Sequence, residues 1–299
     1  MRYGYIGLGN LGGHLAMSLI RAGFAVTVHD RNAELGERHI QAGATWAASA
    51  GELAANCDVV MTCLPSPAVC ESVLGDCLAA MKPGAVWIEN STLGRDEIQR
   101  LAALAQAKSI RVLEAPVTGG VHLAAQGVIT VLAGGDKALF DEQMPALNAI
   151  GDQIFHMGPI GSAAVIKVIT NMLAFIHLVA DGEALMLAKR GGLDLGQAWA
   201  AIKASSGTSF VHETEGQLIL NGSYDIAFTM DLALKDLGFA MNFGREFGVP
   251  LDLADLTNQT FVRGKSAYGG AAQSTQIVKL LEDALGTDLR APGFPARLE

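Results

Sequence analysis

Near the N-terminus, the run Gly7-Leu8-Gly9-Asn10-Leu11-Gly12 has the spacing of a loop that binds the pyrophosphate of a dinucleotide. The first glycine allows a tight turn, the second lets the backbone approach the phosphates, and the third lets helix and strand pack closely. A helix starting at Asn10 would offer N–H groups and a positive dipole end to the phosphates. Because the run follows a predicted strand and opens a predicted helix, we favour a dinucleotide site over a turn that serves packing alone.

Asp30 stands eighteen residues after Gly12, at the end of the second predicted strand. A carboxylate at this position accepts hydrogen bonds from the ribose 2′-OH of NAD and repels the 2′-phosphate of NADP. The neighbouring Arg31 can hold such a phosphate, or it can lie over the adenine or in water. Asp30 therefore favours NAD as the cofactor, and Arg31 leaves NADP as an alternative.

Lys167 and Asn171 lie four residues apart in an apolar helical stretch, so they share one helix face. An enzyme that oxidises an alcohol with a nicotinamide cofactor needs a base for the hydroxyl proton. A lysine in water has a pKa of about 10.4, and lowering it by two units takes roughly 3 kcal/mol, which burial beside a positively charged nicotinamide can supply. In the reverse direction the ammonium group protonates the developing alkoxide. Alternatively, the side chain extends along the apolar surface and places its amine in solvent.

Three segments that follow predicted strands carry small, polar or turn-forming residues. Because ligands of doubly wound sheets bind beyond the carboxyl ends of the strands, these segments are candidates for the nicotinamide and substrate site. Backbone N–H groups at Thr118-Gly119-Gly120 can surround a carboxylate with no side chain in the way. Alternatively, the three segments form ordinary turns that bind no ligand, which explains the same composition. The segments are Leu64-Pro65-Ser66, Asn90-Ser91-Thr92 and Ala115-Pro116-Val117-Thr118-Gly119-Gly120.

A second charged pair, Lys235-Asp236, lies in an apolar helical segment near the C-terminus. Its neighbours are too apolar for a solvated helix face. The pattern fits either substrate contact or an internal ion pair.

The predicted secondary structure that must position these residues changes near Gly161, from alternating strands and helices to helices alone. Before it, short apolar runs alternate with helical patterns, which predicts a doubly wound parallel sheet. After it, a long helix over about 162–190 leads into further helical segments separated by glycines. The predicted strands are Tyr3–Ile6, Ala25–Asp30, Val59–Leu64, Val86–Glu89, Arg111–Glu114, Ile129–Ala133 and Ile154–Met157.

Length and composition agree with two domains, which we place at residues 1–161 and 162–299. Half of the 299 residues are apolar, 17% are charged, and the mean hydropathy is +0.31, which excludes a disordered chain and leaves apolar surface for an oligomer. The net charge is −9 without a basic patch, so we do not expect a nucleic-acid partner. We expect a cytoplasmic protein with reduced thiols, no metal site, no leader and no membrane span. The four cysteines are Cys57, Cys63, Cys70 and Cys77.

Taken together, these motifs resemble those of the β-hydroxyacid dehydrogenase family, which includes 3-hydroxyisobutyrate dehydrogenase. The resemblance covers essentially the whole chain. It implies a Rossmann domain, a long interdomain helix and an all-helical domain that forms homodimers or homotetramers. The segments that carry it are GLGNLGGHLA at 7–16, EAPVTGG at 114–120, GPIGSAAVIKVITN at 158–171, SSGTSF at 205–210 and KDLGFA at 235–240.

The resemblance also implies roles for individual residues. Lys167 is the catalytic lysine and Asn171 a substrate ligand, while Thr118, Gly119 and Gly120 bind the substrate carboxylate, with Thr118 in place of the commoner serine. Leu64, Pro65 and Thr92 contact the cofactor near the nicotinamide. Lys235 closes over cofactor and substrate, with Asp236 and Phe228 nearby.

Two residues depart from the family pattern. Ala163 replaces a glycine before the lysine, which can shift the start of the long helix. His122 stands where small residues are usual, and it either contacts a substrate side group or packs at the rim of the site.

We therefore expect an NAD-dependent enzyme that oxidises a short 3-hydroxy acid to its semialdehyde and catalyses the reverse reaction. An NADPH-linked glyoxylate/succinic or tartronate semialdehyde reductase of the same family is the first alternative. A non-catalytic dinucleotide-binding module is the second, although such a module would be expected to lose Lys167 and Asn171.

Overall fold

A computed structural model describes residues 1–298. The chain forms two compact units, Met1–Lys167 and Val168–Glu299, and the boundary falls inside a long helix.

Within residues 1–298, nine strands form, all in the first unit. Six of the seven predicted strands match to within two residues at each end, and two of these, Val86–Glu89 and Arg111–Glu114, have the predicted first and last residues. Two-residue strands at 45–46 and 117–118 were not predicted. The strands are β1 (Arg2–Ile6), β2 (Ala25–His29), β3 (Thr45–Trp46), β4 (Val59–Thr62), β5 (Val86–Glu89), β6 (Arg111–Glu114), β7 (Val117–Thr118), β8 (Ile129–Gly135) and β9 (Gly151–His156).

The sheet has the strand order β3-β2-β1-β4-β5-β6-β8-β7, and β9 pairs with β8. All pairs from β3 to β6 are parallel, so the doubly wound prediction is confirmed for this part. Beyond β6 the pairing is mixed. Strand β8 runs antiparallel to both β6 and β7, which the prediction of a parallel sheet did not include, and parallel to β9. The carboxyl ends of β1, β4, β5 and β6 lie side by side, which is where a doubly wound sheet binds ligands.

Helices of the first unit cover both faces of the sheet and enclose two hydrophobic cores. The central strand β4 is buried at every position, as its continuous apolar run predicts. Ser49 caps the helix that follows it by accepting the N–H of Glu52. The helices are α1 (Gly12–Arg21), α2 (Glu37–Gln41), α3 (Ala50–Asn56), α4 (Pro67–Leu78), α5 (Arg95–Gln106), α6 (Val121–Gln126) and α7 (Lys137–Ile150).

The second unit is built from helices around a core of its own, to which Phe175, Leu178 and Leu185 contribute from its long first helix. The predicted glycine breaks recur at Gly222 and Gly248, where left-handed backbone ends a helix. The helices are α8 (Ser162–Arg190), which begins in the first unit, α9 (Leu195–Lys203), α10 (Phe210–Asn221), α11 (Met230–Phe247), α12 (Asp252–Tyr268) and α13 (Lys279–Leu285).

Among the described residues, α8 is the one helix that is long and apolar enough to cross a membrane. A single helix of this kind is also typical of the core of a soluble protein. In its most apolar stretch, 39% of the residues are buried, and those named above pack into the core of the second unit.

Candidate active site

The turn between β1 and α1 requires two of its glycines for steric reasons. Gly7 has a φ of +96°, and a Cβ at this position would lie 2.2 Å from the carbonyl oxygen of Cys63. A Cβ on Gly12 would lie 2.1 Å from the carbonyl oxygen of Gly7. Helix α1 begins at Gly12 with Leu11 as its N-cap residue, so the predicted start at Asn10 is two residues too early.

Gly9 differs from these two glycines, because a Cβ here would meet no atom within 4 Å. The position that a side chain would occupy at Gly9 faces open space. It lies next to the start of α1, which has neither a side-chain cap nor an acidic residue in its first turn. A helix N-terminus of this kind suits an anion. The residues present therefore fit a dinucleotide whose pyrophosphate approaches the backbone at Gly9, with Asn10 exposed beside it.

Asp30 immediately follows β2 and is held against the glycine loop. Its Oδ2 accepts the N–H of Leu8 at 2.7 Å, and its Oδ1 accepts the N–H of Asn32 at 2.8 Å. These bonds fix the carboxylate beside the loop, where it can also accept a ribose hydroxyl. Arg31 is exposed.

The loops after β4 and β5 are tied to each other. The backbone N–H of Leu64 donates to the hydroxyl oxygen of Ser91 at 2.7 Å. Pro65 is exposed, and Leu64 and Thr92 are half-buried. Strand β4 lies next to β1 in the sheet and β5 lies next to β4, all in parallel, so both loops lie at the edge that carries the glycine loop.

The Thr118-Gly119-Gly120 segment ends β7 and has left-handed backbone at both glycines, with φ of +122° and +89°. Successive N–H groups in such a conformation can point at one anion. His122 lies beside this loop, because a Cβ on Gly120 would lie 3.1 Å from its Nδ1. Burial lowers the pKa of His122, which favours the neutral imidazole.

Lys167 is the sixth residue of α8 and is 7% exposed, so its amine does not extend into solvent. The start of this helix is held by Glu114, the last residue of β6. The Glu114 carboxylate accepts the N–H groups of Gly161 at 2.5 Å, Ala163 at 3.0 Å and Ala164 at 3.0 Å. Burial raises the pKa of Glu114, and these three N–H groups oppose that rise. A helix therefore starts at Ser162 despite the departure at Ala163.

In the second unit, the structure brings together Asn171, Lys235 and Asp236. The amide of Asn171 donates to Asp236 Oδ2 at 2.6 Å, and Lys235 Nζ lies 3.1 Å from Asp236 Oδ1. Asp236 is 1% exposed, whereas the side chain of Lys235 is 21% exposed. The charged pair predicted from sequence is thus an ion pair that also holds Asn171.

Phe228 precedes α11 and is half-buried, with its ring 5.9 Å from that of Phe175. Its backbone N–H donates to the side-chain oxygen of Gln273 at 3.2 Å.

Sequence reasoning missed two acidic residues of the first unit that organise the site, Glu89 and Glu114. Each is the last residue of a buried strand and accepts hydrogen bonds from the backbone of a neighbouring segment. An acidic residue directly after two or three apolar strand residues is a signal that could have identified both.

Two family models match the chain. Residues 2–158 match the NAD-binding domain of 6-phosphogluconate dehydrogenase. Residues 161–281 match the NAD-binding domain of NADP-dependent 3-hydroxyisobutyrate dehydrogenase. The two matches meet near the start of α8.

Individual relatives match over almost their full length. The chain is 31% identical to a 2-(hydroxymethyl)glutarate dehydrogenase of Eubacterium barkeri, covering 97% of each chain. It is 32% identical to an L-threonate dehydrogenase of Cupriavidus necator, covering 93% of this chain and 95% of the relative. Its structure resembles a 3-hydroxyisobutyrate dehydrogenase from Salmonella typhimurium with a TM-score of 0.88 at 31% identity, covering 94% and 99% of the two chains.

The glycine loop gives a sharp test, because its glycines differ in what a methyl group would meet. We expect Gly9→Ala to fold like the wild type but to raise the Kd for NAD at least tenfold, since the methyl group separates backbone and phosphate. Gly12→Ala should lower the stability by about 1–3 kcal/mol through overpacking. Isothermal titration and thermal melts measure the two effects.

Gly75→Ala on α4 is the matched control, because a Cβ there also meets nothing within 4 Å. It should leave the Kd for NAD unchanged and should not lower the melting temperature, because alanine is the better helix former. Wild-type affinity for NAD in Gly9→Ala would contradict the placement of the pyrophosphate.

Proposed function

The chain belongs to the β-hydroxyacid dehydrogenase family, and from this we propose that it catalyses the NAD-dependent oxidation of a short 3-hydroxy acid to its semialdehyde, and the reverse. It is an oxidoreductase that acts on CH–OH groups and carries NAD(P)-binding domains. The observation that carries the proposal is the burial of Lys167, 7% exposed, one turn into a helix whose N-terminus Glu114 holds.

In the proposed reaction, Lys167 Nζ accepts the proton of the substrate hydroxyl during oxidation and returns it during reduction. The glycine loop and Asp30 would hold the dinucleotide, whose nicotinamide would supply the acceptor for the hydride that leaves the hydroxyl-bearing carbon. The Thr118 hydroxyl and the N–H groups of Gly119 and Gly120 bind the substrate carboxylate. Asn171, held by Asp236, orients the substrate.

Further residues contact the ligands in this proposal. Phe228, Lys235 and Asp236 close over the substrate, and Lys235 also contacts the cofactor. The remaining cofactor contacts are the loop Gly7-Leu8-Gly9-Asn10-Leu11-Gly12, then Asp30, Arg31, Leu64, Pro65 and Thr92.

The cofactor we propose is NAD. Asp30 supports this, because both of its oxygens are fixed beside the glycine loop and would repel a 2′-phosphate. An NADPH-linked glyoxylate/succinic or tartronate semialdehyde reductase is the alternative. It is favoured by the exposed Arg31 and by the NADP-dependent enzyme named in the second family match.

The substrate class follows from the family, whereas the group at C2 does not. Relatives at 31–32% identity are named for different hydroxy acids, 2-(hydroxymethyl)glutarate and L-threonate. A screen of 3-hydroxyisobutyrate, glycerate, serine, threonate and 4-hydroxybutyrate with NAD separates the candidates. Activity with none of these, together with tight NAD binding, would favour a non-catalytic dinucleotide-binding module.

We also propose that residues 1–161 bind the cofactor and that residues 162–299 serve substrate binding and assembly into a homodimer or homotetramer. Exposed leucines on the helical unit support assembly, namely Leu187, Leu253 and Leu256. The four cysteines form no disulfide among the described residues, which supports a reducing, cytoplasmic compartment. The proposed partners are a small hydroxy acid or semialdehyde and further copies of the chain, with no nucleic acid and no membrane.

Replacing the catalytic lysine tests the proposed chemistry. We expect Lys167→Ala to abolish turnover while NAD still binds, because the glycine loop and Asp30 are untouched. Steady-state kinetics and titration with NAD measure the two properties. The matched control is Lys203→Ala on α9, whose side chain is half exposed and should be dispensable. A Lys167→Ala enzyme with more than a tenth of wild-type kcat would refute the assigned role.

Comparing both cofactors tests the interpretation of Asp30. We expect kcat/KM to be at least tenfold higher with NAD than with NADP, equivalent to about 1.4 kcal/mol. Asp30→Ala should narrow this ratio, and Arg31→Ala should leave activity with NAD unchanged. A wild-type preference for NADP that Arg31→Ala abolishes would contradict the proposal.

A further inference from the structure

A buried carboxyl group with no role in the proposed chemistry lies at the carboxyl end of β5. Glu89 is 1% exposed and sits in the middle of the parallel sheet, between β4 and β6. Burying a carboxyl group is costly unless hydrogen bonds compensate. Here its Oε2 accepts the hydroxyl of Thr62 at 2.9 Å, and its Oε1 accepts the backbone N–H of Ser91 at 2.7 Å.

Ser91 in turn forms a hydrogen bond with the loop 64–66 that follows β4. Its hydroxyl oxygen accepts the backbone N–H of Leu64 at 2.7 Å, and Cys70 Sγ lies 3.5 Å from the same oxygen. Glu89 therefore holds Ser91, and Ser91 holds Leu64. The loop 64–66 after β4 and the loop 90–92 after β5 are fixed relative to each other by this chain of hydrogen bonds.

The glycine loop is fixed by a different set of contacts. Gly7 donates its N–H to the carbonyl oxygen of His29, and Leu8 donates to Asp30. Neither bond involves Glu89 or Ser91. The two ends of an extended dinucleotide site are thus held by separate hydrogen bonds in the first unit, while Gly7 packs directly against Cys63 and Leu64.

We propose that Glu89 is a positioning residue that, through Ser91, holds loops 64–66 and 90–92 in the conformation that contacts the nicotinamide half of the bound dinucleotide. This inference rests on the proposed function, which places Leu64, Pro65 and Thr92 beside the nicotinamide. Loss of Glu89 then weakens binding of the nicotinamide half and spares the ADP half.

Hydrogen bonding, and not charge, is the property of Glu89 that matters in this role. Burial raises the pKa of Glu89 to about 7, so its neutral form is already accessible at neutral pH. Glutamine has the same shape and keeps a carbonyl oxygen for the N–H of Ser91. Glu89→Gln should therefore keep the hydrogen bond to the N–H of Ser91, whereas Glu89→Ala should remove it.

The test compares the binding of NADH with that of ADP-ribose, which lacks the nicotinamide, by isothermal titration. In Glu89→Ala and in Ser91→Ala, we expect the Kd for NADH to rise at least tenfold and the Kd for ADP-ribose to change less than twofold. Glu89→Gln should keep both values within threefold of the wild type. Glu71→Ala on α4, a half-exposed glutamate paired with Arg100, is the matched control and should change neither.

Parallel losses of NADH and ADP-ribose affinity in both alanine variants would show a merely structural role and overturn the proposal. Unchanged NADH affinity would overturn it as well. Ser91→Ala, the smaller change, keeps the test decisive if Glu89→Ala does not fold.

The assay needs no substrate, so it is independent of whether the chain oxidises a 3-hydroxy acid. A wild-type protein that binds NADH no tighter than ADP-ribose would contradict the nicotinamide contacts of the proposed function and remove the premise. Selective loss in the variants supports the inference even if the substrate screen fails.

Discussion

The carboxylate of Glu114 at the start of α8 is the contact on which the geometry of the first unit most depends. The first N–H groups of a helix have no partner within the helix, and in a buried position they need an acceptor. Glu114 supplies it for three of them, and a Cβ on Gly134 would lie 2.3 Å from its Oε1, so the neighbouring strand β8 must carry glycine there. The first turn of α8, and with it Lys167, is anchored to the end of β6.

Acidic side chains also accept backbone N–H groups at other positions along the carboxyl edge of the sheet. Asp30 after β2 accepts the backbone N–H groups of Leu8 and Asn32, Glu89 on β5 accepts that of Ser91, and Glu114 on β6 accepts those of α8. Each of these side chains offers two oxygens that can accept backbone N–H groups, which suits them to fixing loops. Three acidic residues thus hold three segments that the proposed chemistry requires, while the reacting groups themselves stay available.

Much of this architecture follows from the sequence. The apolar runs identify the parallel strands, and the glycine spacing with Asp30 identifies the dinucleotide loop. For Lys167 the sequence left two alternatives, a buried amine and an amine in solvent, and the structure shows the buried one. Strands β3 and β7 were missed because two residues carry no periodicity, and the antiparallel direction of β8 leaves no mark in its own composition. The roles of Glu89 and Glu114 were missed because a sequence shows a charge but not the N–H groups that reach it.

The proposed function depends above all on a proton exchange between Lys167 and the substrate hydroxyl. A crystal structure of the chain with NAD and the hydroxy acid of highest kcat/KM tests it most directly. We expect Lys167 Nζ within about 3 Å of the hydroxyl oxygen, a normal hydrogen-bond distance. An Nζ turned to solvent, with another side chain against the hydroxyl, would contradict it.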